Sequence, residues 1–494
     1  MTDTRRKSFG DDIINDIAPG FHTINPDTRL NTQSSNNIPQ NNKTNNIKIF
    51  NKLKTSFTNI GNNIREVVKK PTIFGTGCII IHICLGNFAI FSLAPMAKSF
   101  GLVWIIIFCI IIGIINYIYI MKSFIASAKC AEKNYSDITE KFLGKKARRL
   151  LNIIIIIYSF LCMMYLISLT FPMIGRVTQI LFYHNKYRSY INFENQKWGK
   201  SLIKYPFFLC IGFIVIIICV FKFIKLQHIG IFRIFAMSFC ILILIIQCFS
   251  YYYHYKKNIY KIDDESTHPN WNNLGKAFTS KIDFFKGISI LFASFTCEPV
   301  MFPIFDGFKI QEKALKKVQI GVLFGILSTT ILTIISIVCS FLINPYIPEE
   351  FIFFRKNKNN NKDILMVIIN IILFLCIIFT IPRYYVLLKI HLKFLLFKSQ
   401  EKLKDITNYL IIFIFCFGSS FAAIFFNKLM SYLIYIGGFC SIVISYLFPA
   451  FIYAKSSGKN IKYWGNLLTI IFAGILCIIG IIGGIATLVD DIKN

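Results

Sequence analysis

A chain of 494 residues with 55% hydrophobic content and a mean hydropathy of +0.59 is too apolar for a soluble globule, whose apolar share sits near about 45–50%, and the sequence describes a polytopic membrane protein. The formal charge of +30 is spread over loops and a tail between apolar runs. No basic patch with interleaved stacking aromatics stands out, so nucleic acid is excluded as a partner, and the charge reads as topology determinants and contacts with membrane lipids.

Residues 1–70 carry the polar run SSNNIPQNNKTNN and no apolar core of a signal peptide behind the opening basic residues, so a disordered basic tail is expected. Its end, 47–70, reads either as a short amphipathic surface helix or as a solvated linker. Residues 71–494 form the transmembrane domain. About 20 apolar residues cross a hydrocarbon core of about 30 Å. On that criterion eleven spans are predicted, at 73–97, 101–124, 149–174, 202–221, 231–253, 284–306, 318–342, 364–388, 408–426, 431–453 and 463–489. The fold expected is therefore an all-α membrane protein. Lys141, Lys145, Lys146, Arg148 and Arg149, then Lys313, Lys316 and Lys317, then Lys398, Lys402 and Lys404 all fall in even-numbered loops. The opposite loops offset their bases with Glu194, Asp263, Asp264, Glu265, Glu349 and Glu350, which places the even loops and the N-terminus in the cytoplasm. The 15 cysteines lie mostly within apolar runs and form no CxxC pair. They read as small hydrophobic fillers, with no disulfide framework, metal site or cofactor indicated.

Two spans are unlike the rest. The sixth, FFKGISILFASFTCEPVMFPIF over 284–305, sets Glu298 directly before Pro299 and adds Pro303. Proline removes a backbone hydrogen bond and clashes with the preceding turn, so an acid and freed carbonyls meet at membrane depth, where only protein or a watery cavity can receive them. The segment reads as a broken helix at a transport site; the bland alternative is a kinked structural helix with Glu298 facing a loop. The first span holds His82, Gly86, Asn87 and Pro95, and Gly86-Asn87 in mid-span weakens the helix. The first and sixth spans occupy equivalent places in two sets of five, 73–253 and 284–453, with an extra helix at 463–489. Interrupted helices in corresponding places of two halves point to an inverted-repeat transporter. Half-helix N-termini suit a carboxylate and free carbonyls an ammonium or a cation, so an α-amino acid fits between them.

Several short motifs carry a resemblance. Ala89-Ile90-Phe91-Ser92-Leu93 is followed by Lys98, Gly101 and Leu102 in and after the first span. The loop after the second span holds Tyr135-Ser136-Asp137-Ile138 and Phe142-Leu143-Gly144-Lys145-Lys146. The sixth span has Phe292-Ala293, Phe295-Thr296-Cys297 and Pro303-Ile304, with Lys316-Lys317 before the seventh. In this order and spacing they resemble the amino acid/auxin permease family over about residues 72–490. The resemblance implies a fold similar to the leucine transporter, five plus five spans and one more. It also implies secondary transport of an amino acid by alternating access around spans one and six. Carried over, it places the substrate at Gly86, Asn87, Phe88 and Ala89 and at Phe295, Thr296 and Cys297. The chain departs from the family where Asn87 and Ala89 replace glycines, where the proline comes one place late at Pro95, and where Glu298 replaces a frequent histidine.

Glu298 and His82 are the candidates for proton coupling: a carboxylate in a cavity that wets and dries can take up and release a proton, and imidazole titrates near neutral pH. His82 also reads as a ring bonded to a helix carbonyl, and sodium remains open as the coupling ion. Arg383, after Pro382, either meets an acid or a substrate carboxylate or snorkels at the kink; Arg176 is a second arginine to place. Thr380 and Ser419-Ser420 either serve a sodium site or bond their own backbone. No HExxH, GxSxG or nucleotide-binding loop appears, so an enzyme is not expected. An amino-acid sensor or a transporter of another small solute is the alternative. The plasma membrane and an acidic vacuole-like or lysosome-like membrane both fit.

Overall fold

The computed structural model describes residues 73–85, 101–130, 132, 134–183, 201–221, 234–246, 248–249, 281–297, 299, 312–343, 364–396, 405–425, 429–457 and 464–493. The expected tail, 1–70, lies outside the described residues. Among the described residues there is no strand. The helices in chain order are α1 (Ile73–Leu85), α2 (Leu102–Cys130), α3 (Tyr135–Leu143), α4 (Lys145–Phe182), α5 (Ser201–Phe221) and α6 (Ile234–Ile246). Then come α7 (Lys281–Phe295), α8 (Glu312–Ile343), α9 (Ile364–Leu396) and α10 (Asp405–Phe425). The next, α11, starts as Leu429–Tyr435, widens into π-helix over Ile436–Ser441 and Val443–Leu447, and ends as Phe448–Ser456. Trp464–Lys493 is α12.

A helix overlaps each predicted span, and among the described residues 6 helices are long and apolar enough to cross a membrane: Leu102–Cys130, Lys145–Phe182, Leu315–Cys339, Ile364–Leu396, Ser431–Ser456 and Trp464–Lys493. One element departs from expectation. The loop after the second span folds as α3, because Tyr135, Ile138 and Phe142 recur at helical spacing and give the segment one apolar face. Gly144, at φ 88°, then turns the chain into α4, a left-handed conformation that glycine adopts without a Cβ penalty.

The bundle is apolar outside. On α2, Ile107, Ile110, Ile111, Ile114 and Ile118 point outward while Asn116, Ser123 and Ser127 are buried. That is the arrangement lipid favours, since hydrocarbon solvates isoleucine and leaves polar side chains to find partners inside. Hydroxyls on α8 do so within their own helix: Thr329, Thr330 and Thr333 donate to the carbonyls of Gly325, Ile326 and Thr329 at 2.8–2.9 Å. Small residues set the helix spacing. A Cβ on Gly321 would sit 2.5 Å from Thr76 Cβ, and one on Gly325 2.6 Å from Ile80 Cβ, so α1 and α8 pack as close as glycine permits. The two longest described helices, α4 and α9, pack against each other. Each carries an internal proline, Pro172 and Pro382.

Candidate functional site

The sixth predicted span breaks where its prolines require. Helix α7 stops at Phe295, Thr296 and Cys297 are not helical, and helix reappears at Pro299. A proline cannot donate to the carbonyl four residues earlier and its ring clashes with it; for Pro299 that carbonyl belongs to Phe295. The freed oxygen is taken by the side chain of Asn116 on α2, whose Nδ2 donates to it at 2.8 Å. Cys84, one residue from the end of α1, places its Sγ 3.9 Å from the same oxygen. The ends of α1 and α7 thus meet at one buried carbonyl. Thr296 turns its hydroxyl back onto Phe292 O at 2.8 Å, and Phe295, Thr296 and Cys297 are buried. Gly86, Asn87, Phe88, Ala89 and Glu298 lie outside the described residues, and of His82 only its place on α1 is described.

Next to the break is a small cavity of about 10 Å³, the space of about one water. Tyr158, Cys162, Tyr165 and Leu166 line it from α4, Ala293 from α7, Tyr384 from α9, and Leu433 and Ile436 from α11. The wall formed by α11 runs from Leu433 to the start of its first π-helical turn at Ile436; such turns widen a helix and are common at functional sites. Gly437 in that turn lies against the backbone of Ser289 on α7, where a Cβ would stand 1.6 Å from the carbonyl oxygen.

Arg383 stands beside this cavity. It is 8% exposed, and none of Nε, Nη1 and Nη2 has a hydrogen-bond partner among the described residues. Its guanidinium lies 5.1 Å from the Tyr384 ring centroid. A desolvated cation–π contact contributes about 2 kcal/mol, while an uncompensated buried charge costs about 3–5 kcal/mol, so the ring does not offset the burial. Snorkelling at the kink is not what the side chain does. Arg176, by contrast, is buried and bonded to Gln179 on the next turn of α4. Thr380, Ser419 and Ser420 each donate to the carbonyl of Cys416 or Cys376 on their own helices at 2.6–3.0 Å, the backbone role rather than an ion-binding one. Among the described residues no group of three His, Cys, Asp or Glu is placed to hold a metal ion.

Polar contacts tie the helices around the site at both ends. At one end Lys286 of α7 pairs with Asp490 of α12 at 2.5 Å, and Asp491 accepts from Ser431 and Tyr435 of α11 at 3.1 and 2.7 Å. At the other, Ser136 of α3 donates to Asn152 of α4 at 2.6 Å, and Asn152 Oδ1 lies 2.8 Å from Nδ1 of His391 on α9. Tyr135 donates to Ile444 O within the π-helical stretch of α11 at 2.7 Å. Arg148 pairs with Glu140 and lies 3.8 Å from Asp137. Burial pushes the Asp137 carboxyl above the usual carboxylate range, against the opposing pull of the Asn134 amide and Arg148.

Sequence reasoning did not find Asn116, Tyr158, Tyr384 or the π-helical turn. Asn116 could have been sought, since a proline that frees a carbonyl at membrane depth demands a donor on a neighbouring helix.

An apolar exterior, buried polar contacts and a discontinuous helix beside an internal cavity define a multi-pass membrane protein of the transporter class. The chain belongs to the transmembrane amino acid transporter protein family, whose profile matches residues 70–489. No curated protein matches it. Among solved structures it is similar to a manganese transporter of Eremococcus coleocola, crystallised with an aromatic bis-isothiourea substituted compound. That likeness has a TM-score of 0.47 at 11% identity and covers 85% of this chain and 87% of the other.

Proposed function

We propose that this transporter carries amino acids by secondary active transport, coupled to protons, with alternating access around the interrupted first and sixth spans. In this reading the chain crosses the membrane eleven times, as two inverted sets of five spans and one more, with its basic tail in the cytoplasm. It works in the plasma membrane or in an acidic vacuole-like or lysosome-like membrane. The observation that carries the proposal is the stop of α7 at Phe295, with its freed carbonyl held by Asn116 and met by Cys84 at the end of α1. The C-terminal end of a helix carries partial negative charge and attracts a cationic group, and the α-ammonium of an amino acid is such a group. Gly86, Asn87, Phe88, Ala89, Phe295, Thr296 and Cys297 surround the substrate, and Glu298 carries the coupled proton, with His82 as its counterpart on α1.

The test is uptake of labelled amino acids into proteoliposomes, with and without an inward proton gradient, for wild type and Glu298→Gln. The proposal expects gradient-driven uptake in the wild type and its loss in the variant, with exchange of amino acids across the membrane retained. Equal gradient-driven uptake by both proteins removes Glu298 from coupling.

A further inference from the structure

A buried cation without a counterion among the described residues is the least explained feature of this bundle. Arg383 sits on α9 directly after Pro382, and all three of its guanidinium nitrogens lack hydrogen-bond partners among the described residues. Asp and Glu are absent from α9 itself, so the helix that carries the charge supplies nothing to neutralise it. A proline at the preceding position also loosens the helix at this level, which gives the side chain room to move without unwinding the rest of α9.

The surroundings say what the missing counterion is. Arg383 lies over the Tyr384 ring, which packs edge-on against Tyr158 with ring centroids 6.2 Å apart. Tyr158, Cys162 and Tyr384 are all cavity wall. Across that cavity Ala293 belongs to the last turn of α7, whose C-terminal end carries partial negative charge. The cavity therefore lies between the turn of α9 that carries Arg383 next to Tyr384 and the last turn of α7. A planar fork of five N–H donors matches a carboxylate in two parallel bonds. A zwitterion set across the cavity satisfies both the fork and the helix end.

We propose that Arg383 is the carboxylate-binding residue of the transport site: its guanidinium receives the α-carboxylate of the amino-acid substrate while the end of α7 receives the ammonium. This assignment rests on the proposed function and adds to it the group that holds the acid end of the substrate, which the break at Thr296–Cys297 does not supply. The cavity is too small for an amino acid as it stands, so α7 and α11 part from α4 and α9 when the substrate enters.

The experiment compares purified full-length wild type, Arg383→Gln and Arg383→Lys by thermal unfolding and by uptake into proteoliposomes. The probes are a mixture of L-amino acids, the same mixture as carboxamides, and sodium chloride. For the wild type the amino acids raise the melting temperature and their carboxamides do not. Arg383→Gln melts at or above the wild type without ligand, because relief of the buried charge outweighs the lost contact with the Tyr384 ring. It gives no shift with amino acids, and its KM for uptake rises on the order of 30-fold or more, the loss expected when one partner of a buried charge pair is truncated. Arg383→Lys recovers part of the affinity, because it keeps the charge and loses the fork. Three results overturn the assignment: an Arg383→Gln protein with wild-type KM and wild-type shift, a variant that melts well below the wild type without ligand, or a wild-type shift produced by chloride and not by amino acids. A wild type that takes up no amino acid refutes the proposed function itself, whereas transport that ignores the Arg383→Gln change refutes only this assignment.

Discussion

Gly437→Ala probes the contact that holds α11 against α7 at the cavity wall. The new Cβ would lie 1.6 Å from Ser289 O, 2.5 Å from Ser289 C and 3.2 Å from Ala293 N. All three are backbone atoms, so no rotamer change relieves the clash. Ordinary contact begins near 3.4 Å, and restoring it separates the two helices by about 2 Å. That movement pulls Gly438, which packs on Gly480 of α12, and stretches the 3.4 Å bond from Ser289 to Gly480 O. Overpacking a tight core costs about 1–3 kcal/mol, and the backbone partner puts this case at the upper end. The matched control is Gly474→Ala on α12, where a Cβ meets nothing within 4 Å; a glycine-to-alanine change in a helix interior gains up to about 1 kcal/mol. Thermal unfolding of the purified proteins should therefore show Gly437→Ala below wild type and Gly474→Ala at or above it, with amino-acid uptake reduced only in the former. A Gly437→Ala protein as stable as the control would refute the close approach and the reasoning built on it.

Two further outcomes follow from the ends of the bundle. Because burial raises the Asp137 carboxyl, its charge opposes folding once the pH exceeds that raised value, and in acid below the ordinary carboxylate range the residue is neutral in both states. Asp137→Asn should thus melt with the wild type in acid and above it at neutral pH; a variant less stable at neutral pH would show that Arg148 outweighs burial. Lys286 and Asp490 are paired at 2.5 Å with side chains 20% and 48% exposed, so a double-mutant cycle should give a coupling of at most about 1 kcal/mol. The exchanged pair Lys286→Asp with Asp490→Lys should restore what Asp490→Lys alone loses, and strict additivity of the two changes would deny the pairing.

Much of this architecture is legible in the sequence because lipid imposes a simple rule. Runs such as 364–388 are apolar on every side, and a helix is the form that satisfies their backbone without water. The break at Thr296–Cys297 was equally legible, since Pro299 names the carbonyl it frees. What stayed hidden depends on partners distant in the chain. Asn116 is one polar residue in a run of isoleucines until α7 is laid beside it, 179 positions away. The π-helical stretch of α11 has no strong local signature, and Gly437-Gly438 shows only that something approaches closely. Arg383 illustrates the opposite case: its type and place were plain, but the sequence leaves open whether a kink-side arginine snorkels or stays inside, and its burial without partners among the described residues separates the two. The segment 135–143 was misread as loop because its charges Asp137, Glu140 and Lys141 mask an apolar stripe of three residues.

The central claim is that the interrupted helices enclose an amino acid in transit. Uptake of labelled L-amino acids by purified wild-type protein in proteoliposomes tests it most directly. The account predicts saturable uptake of at least one of them, competed by unlabelled substrate and enhanced by an inward proton gradient. Protein that is folded, inserted and monodisperse yet accumulates no amino acid above empty liposomes would contradict it.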